Sequence, residues 1–132
     1  MARPASSQPT LVELQILRIL WQTGGATARE VHNGLAQSEE KSTTYSTTVK
    51  MLAVMRQKGL VKRDDGASPQ VYRAAASRQT TQRRILRDLV DRLFDGSALS
   101  LVMQALSARK ASKKELAEVR RLLDELNREH KP

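Results

Sequence analysis

"TTYSTTVKMLAVMRQKGLVKRDD", residues 43–65, decides how this chain folds. Its left half is crowded with Thr, Ser and Tyr. Its middle places Thr48, Leu52 and Met55 at helical spacing on one side, with Val49 and Met51 flanking. Lys58-Gly59 then ends a helix, and Leu60-Val61 followed by Lys62-Arg63 opens a strand. The spacing predicts a helix over 44–58. Hydroxyl side chains are mediocre helix formers because they compete with the backbone for hydrogen bonds. A helix that only packed a core would gain nothing from Ser46, Thr47 and Lys50 on the side away from its apolar face.

Upstream and downstream, three helix starts share one local device. Pro9 precedes "TLVE", Gly24-Gly25-Ala26 precede "TARE", and Ala111 precedes "SKKE". In each, a Thr or Ser caps the third helical amide while the Glu three residues on reaches back to the cap. A first helix is thus expected over 10–23, with Leu11, Leu14, Leu17 and Leu20-Trp21 as its buried stripe and Gly24 as its stop. A second helix starts at Thr27 and packs Val31 and Leu35. After the opening stretch, "LVKRDD" and "SPQVYRAA" flank the turn residues Asp65-Gly66-Ala67-Ser68-Pro69, which predicts a hairpin.

From Ser77 onward three more helices are expected, over 79–94, 97–108 and 112–130, broken at Asp95-Gly96 and Arg109-Lys110-Ala111. The last carries Leu116, Val119, Leu123 and Leu126 at alternating spacings of three and four, with Leu122 beside them. That narrow stripe suits a helix–helix seam. Leu89, Leu93, Phe94, Leu99, Val102 and Leu106 add an apolar surplus on the two preceding helices. Three short helices make little core alone, so a partner subunit is expected to cover these side chains. The division that follows is a flexible arm over 1–9, a domain of three helices and a hairpin over 10–76, and a helical dimerisation domain over 77–132.

Three helices followed by a hairpin is the order of a winged helix-turn-helix. The fold class is therefore mainly α with a small β-hairpin wing, followed by a C-terminal helical region. In that motif the third helix enters the major groove with its N-terminal residues at base edges, and the second crosses the backbone. Thr44, Tyr45, Ser46, Thr47 and Lys50 then become the groove-facing set: hydroxyls reach phosphates or bases, and a Thr methyl suits a thymine methyl. Lys62 and Arg63 on the first wing strand, and Arg73 on the second, are candidate phosphate contacts, as are Thr27 and Arg29 at the start of the second helix. The competing account is that Thr43, Thr44 and Ser46 only contend to cap the helix.

Composition agrees with a polyanionic partner. The 132 residues carry a net charge of +9. Residues 1–76 hold 10 basic and 6 acidic groups and residues 77–132 hold 13 and 8, so charge does not choose the binding half. There is no cysteine, which removes disulfides, thiolate metal sites and cysteine nucleophiles. No apolar run approaches the roughly 20 residues needed to span a bilayer. "MARPASSQP" has no apolar segment of a signal peptide, so a soluble cytoplasmic protein is the default expectation. His32 and His130 lack spacing for metal or catalysis, and Asp64-Asp65 and Glu39-Glu40 fall at turns. Neither an enzyme nor a cofactor is expected.

"LVELQILRILWQTGGATAREVHNGLA", "YSTTVKMLAVMRQKGLVKRDD" and "VYRAAASRQ" together strongly resemble the BlaI/MecI penicillinase-repressor family over nearly the whole chain. The resemblance implies a homodimeric transcriptional repressor on double-stranded operator DNA, and it admits a sensor protease or other inactivating partner. Two departures stand out. The copper-responsive CopY branch carries tail cysteines for metal, and this chain has none. The β-lactam-responsive members are cleaved between Asn and Phe, where this chain has Gln104-Ala105. Two other classes remain open on the residues alone: a winged-helix protein-interaction module, and a nucleoid-type protein that binds every sequence alike through phosphates.

Overall fold

A computed structural model describes residues 8–38 and 43–130. The expected arm over 1–9 therefore lies mostly, and Glu39-Glu40 wholly, outside the described residues. The order of elements is α1 (Leu11–Thr23), β1 (Ala26–Thr27), α2 (Ala28–Ser38), α3 (Tyr45–Lys58), β2 (Val61–Asp64), β3 (Val71–Ala74), α4 (Arg78–Leu93), α5 (Ala98–Ala108) and α6 (Lys113–Glu129). All three capping boxes form. Thr10 and Ser112 each exchange bonds with the Glu three residues on. Thr27 Oγ1 accepts from the Glu30 amide while Glu30 Oε1 accepts from the Thr27 amide. Gly24 and Gly59 end α1 and α3 with φ of 76° and 80°, left-handed conformations that a Cβ would strain.

The hairpin is part of a larger sheet than the sequence predicts. β1 adds to it antiparallel, giving the order β1-β3-β2, with Ala26 opposite Tyr72 and Val61 opposite Ala74. A two-residue strand has no periodicity to read, and its partner lies some 45 positions away. The core gathers Ile16, Leu17 and Leu20 from α1, Val31 and Leu35 from α2, and Leu52 and Met55 from α3, closed by Ala26, Val61 and Tyr72. Each large aliphatic buried there contributes roughly 1.5–3 kcal/mol. Gly34 lets α2 approach α1: a Cβ there would lie 2.8 Å from Ile19 Cδ1.

The buried stripe of α1 differs from expectation. It runs through Glu13, Ile16, Leu17 and Leu20, while Leu11 is 82% exposed on the opposite side. Ile16, which a stripe drawn through the leucines passes over, is fully buried, and Glu13 joins that face through an ion pair. Lys58 Nζ, at the end of α3, donates to Glu13 Oε1 at 2.8 Å, and their side chains are only 15% and 7% exposed. Burial pushes the Glu13 carboxyl up, but the Lys58 ammonium and the Thr10 amide outweigh it and hold the pKa below the usual value. A capping carboxylate is thereby held charged on the inner face of the helix.

The chain divides into two compact units, with the boundary inside α4 after Leu86. In the first, the Trp21 indole N–H donates to the Ala76 carbonyl at 2.9 Å and Thr81 is buried, so the start of α4 is anchored to the winged helix. In the second, none of residues 87–130 is buried. Leu93, Leu99, Leu122 and Leu123 are more than half exposed, and Leu89, Val102, Leu106, Leu116 and Leu126 are also open to solvent. Phe94 and Val119 are half-buried.

Candidate nucleic-acid interface

α3 presents two opposed faces. Thr48, Leu52 and Met55 are buried. Ser46, Lys50, Ala53, Val54 and Gln57, at i, i+4, i+7, i+8 and i+11, occupy the other side, and all five are exposed. Thr47 is exposed on the flank. The helix carries Lys50, Arg56 and Lys58 and no carboxylate along its 14 residues. Sequence reading stopped at Lys50 and missed the continuation through Ala53, Val54 and Gln57, although the same spacing carried it.

The hydroxyls at the helix start do two jobs. Thr44 is the N-cap: its Oγ1 accepts from the Thr47 amide at 3.2 Å and lies 2.8 Å from Thr47 Oγ1 and 3.3 Å from Ser46 Oγ. Thr48 belongs to the core, where its hydroxyl donates to the Thr44 carbonyl at 3.3 Å. With its one proton so engaged, Thr48 Oγ1 accepts from His32 Nδ1, 3.0 Å away. Capping and packing thus account for two of the hydroxyls outright. Among the described residues the Ser46 and Thr47 hydroxyls bond only within the cluster, and each retains bonding capacity toward solvent.

His32 also sets its ring edge against Tyr45 at 5.8 Å, and the Arg29 guanidinium lies 3.9 Å over the Tyr45 ring. Arg29 is therefore held beside the start of α3 by a cation–π contact. His32, read from sequence only as lacking the spacing for metal or catalysis, is one of the residues that tie α2 to α3. Its partners are 13 and 16 positions away, so no local pattern marks it.

The wing separates residues that adjoin in sequence. Strand alternation puts Lys62 and Arg63 on opposite faces of β2. Lys62 is exposed directly opposite Arg73 on β3, two like charges side by side. Arg73 Nη1 donates to the Gly24 carbonyl at 3.2 Å, whereas Lys62 has no side-chain partner among the described residues. Arg63 lies on the inner face opposite Tyr72, with its Nε 2.5 Å from Asp65 Oδ1. Asp65 and then Tyr72 reinforce its charge. Asp65 also faces Arg56 at 3.8 Å, so this turn carboxylate bridges wing and helix. Thr27 serves as cap and strand partner; its hydroxyl accepts from the Glu30 amide and keeps its proton to donate.

The chemistry available is that of donors and cations. Hydroxyls, an amide and an ammonium line the outer face of α3, with guanidinium and ammonium groups to either side. Among the described residues no group of three or more His, Cys, Asp or Glu is placed to hold a metal. No helix among them is long and apolar enough to cross a membrane. Comparison with curated proteins gives no significant match. The penicillinase repressor family, however, matches residues 9–125, nearly the whole of the two units just described. On that match the chain belongs to the penicillinase repressor family, whose members are DNA-binding transcriptional regulators and not enzymes.

Proposed function

We propose that the chain is a homodimeric repressor that reads an inverted-repeat operator through α3 and the wing. Residues 10–76 would serve as the DNA-binding domain and residues 77–132 as the dimerisation domain. The observation that carries the first half is the exposed, carboxylate-free face of α3, with Arg29 held beside its start and Arg63 of the wing across the groove next to it. A duplex supplies what that surface lacks: phosphates for the cations, and base edges for Ser46, Thr47 and Lys50. The second half rests on a helical unit without a buried side chain, which lacks a core until another surface covers it. An inactivating partner would complete such a regulatory switch, but the Asn-Phe pair at which a sensor protease would lead to cleavage is replaced by Gln104-Ala105.

Salt titration of operator and random-sequence binding tests the interface. Each phosphate contact removed flattens the plot of log affinity against log salt by about one unit of slope. Lys62→Ala, which breaks no side-chain hydrogen bond or ion pair among the described residues, is expected to lose about that unit on both DNAs. Arg63→Ala is expected to lose less, since Asp65 already occupies its guanidinium. Unchanged slopes in both variants would leave the wing a purely structural element. A specific affinity no greater than that for random DNA would mark a nucleoid-type binder, because repressors exceed non-specific binding by roughly 10³ or more.

A further inference from the structure

We propose that the outward stripe of α3 beyond Lys50 reads thymine and adenine: Val54, with Ala53, receives a thymine methyl, and Gln57 an adenine. The inference rests on α3 being the recognition helix and names the bases that helix prefers. Val54 is 42% exposed, on the same face as Ser46 and Lys50 and opposite Thr48, Leu52 and Met55. A β-branched apolar side chain contributes nothing to the core from there, and in a helix it is nearly confined to one χ1 rotamer. Its methyls are therefore held at fixed positions on the surface. Thymine alone among the bases presents a methyl group in the major groove, and apolar side chains are its natural contact. Ala53 beside it is short, so the helix backbone can come close to the base edges.

Gln57 completes the pattern one turn on. Its carboxamide offers one donor and one acceptor, the complement of adenine N7 and N6 in the major groove. The stripe lines an open groove shared with the wing, in which Arg63 of β2 is a cation on the far side. Lys50 is the cation on the near side. A duplex laid along α3 would thus meet Lys50 and then uncharged, short side chains at its base edges. A protein partner fits less well. Ala53 and Val54 offer little apolar area, and Lys50, Arg56 and Gln57 surround it.

The test uses the full chain and an operator obtained by selection from random DNA. Each thymine is replaced in turn by deoxyuridine, which removes only the C5 methyl, and affinity is measured for wild type, Val54→Ala and Gln57→Ala. At one position in each half-site, wild type is expected to lose about fourfold, the worth of one buried methyl-sized group. Val54→Ala should bind the thymine operator correspondingly more weakly and be indifferent to deoxyuridine at that position. Gln57→Ala should lose discrimination for adenine at a nearby position, by roughly fivefold or more. Both side chains are exposed, so melting temperatures should match wild type. Wild type indifferent to every deoxyuridine, or a Val54→Ala variant that keeps the full thymine preference, overturns the inference and leaves the repressor reading intact. Failure to select any operator overturns both, and capture of the same face by a protein would then be the competing explanation.

Discussion

Leu123→Asp is expected to turn the protein into a monomer and to weaken operator binding by roughly 10²–10⁴-fold, the range over which linked binding modules gain from acting together. Leu123 lies on the α6 stripe with Leu116, Val119 and Leu126, and 57% of it is open in the single chain. If a second copy covers that stripe, the aspartate takes a charge into an apolar seam. It also forfeits the roughly 1.5–3 kcal/mol that burial of a Leu contributes. The winged helix itself should be untouched, since residues up to Leu86 form a compact unit with its own buried core. Sedimentation and operator titration of the same sample check both halves. A variant that still sediments as a dimer at micromolar concentration places the subunit contact elsewhere.

Lys58→Met is expected to destabilise the winged helix by about 3 kcal/mol, since it leaves the Glu13 carboxylate buried without its partner. For a unit of this size that is a fall in Tm of more than about 10 °C. Glu13→Gln in the same chain should recover much of the loss, because the side-chain amide keeps the capping bond without the buried charge. The pH dependence has a definite sign. Glu13 titrates below its ordinary 4.5 in the folded protein, so its contribution is complete above that value and is lost as pH falls through the lowered native pKa. Without Lys58 the main cause of that lowering disappears, so the stability gap between variant and wild type should be widest above that value and narrow as Glu13 becomes protonated. A Lys58→Met variant that melts within a degree or two of wild type would show the pair to be energetically idle.

What could be read from the sequence was local. The hydroxyl–Glu pairs at Thr10, Thr27 and Ser112 and the glycines at 24 and 59 set helix boundaries because both partners lie within one turn. The outward and inward faces of α3 followed from spacing alone. The failures have a common cause in distance along the chain. β1 exists only because Ala26 and Thr27 pair with Tyr72 and Val71. Glu13 finds its partner Lys58 45 positions away, and a stripe drawn through the leucines put Leu11 inside and left Ile16 out. His32 gains its meaning from Thr48 and Tyr45. In the tail the apolar surplus was plain, yet a seam with another molecule leaves no trace in a single chain beyond exposed leucines.

Selection of binding sites from random DNA, run in parallel with wild type, Thr47→Ala and Lys50→Ala and with a thermal melt of each, tests the repressor reading most directly. The account predicts that wild type enriches two inverted half-sites whose centres lie about one helical turn, or a multiple of it, apart. The two variants should melt with wild type, since surface substitutions cost within about 0.5 kcal/mol. They should nevertheless lose discrimination worth roughly 1–3 kcal/mol at symmetry-related positions. Variants that melt early yet enrich the same sequence as wild type would contradict it, because the hydroxyls and Lys50 of α3 would then serve the fold and not the reading of DNA.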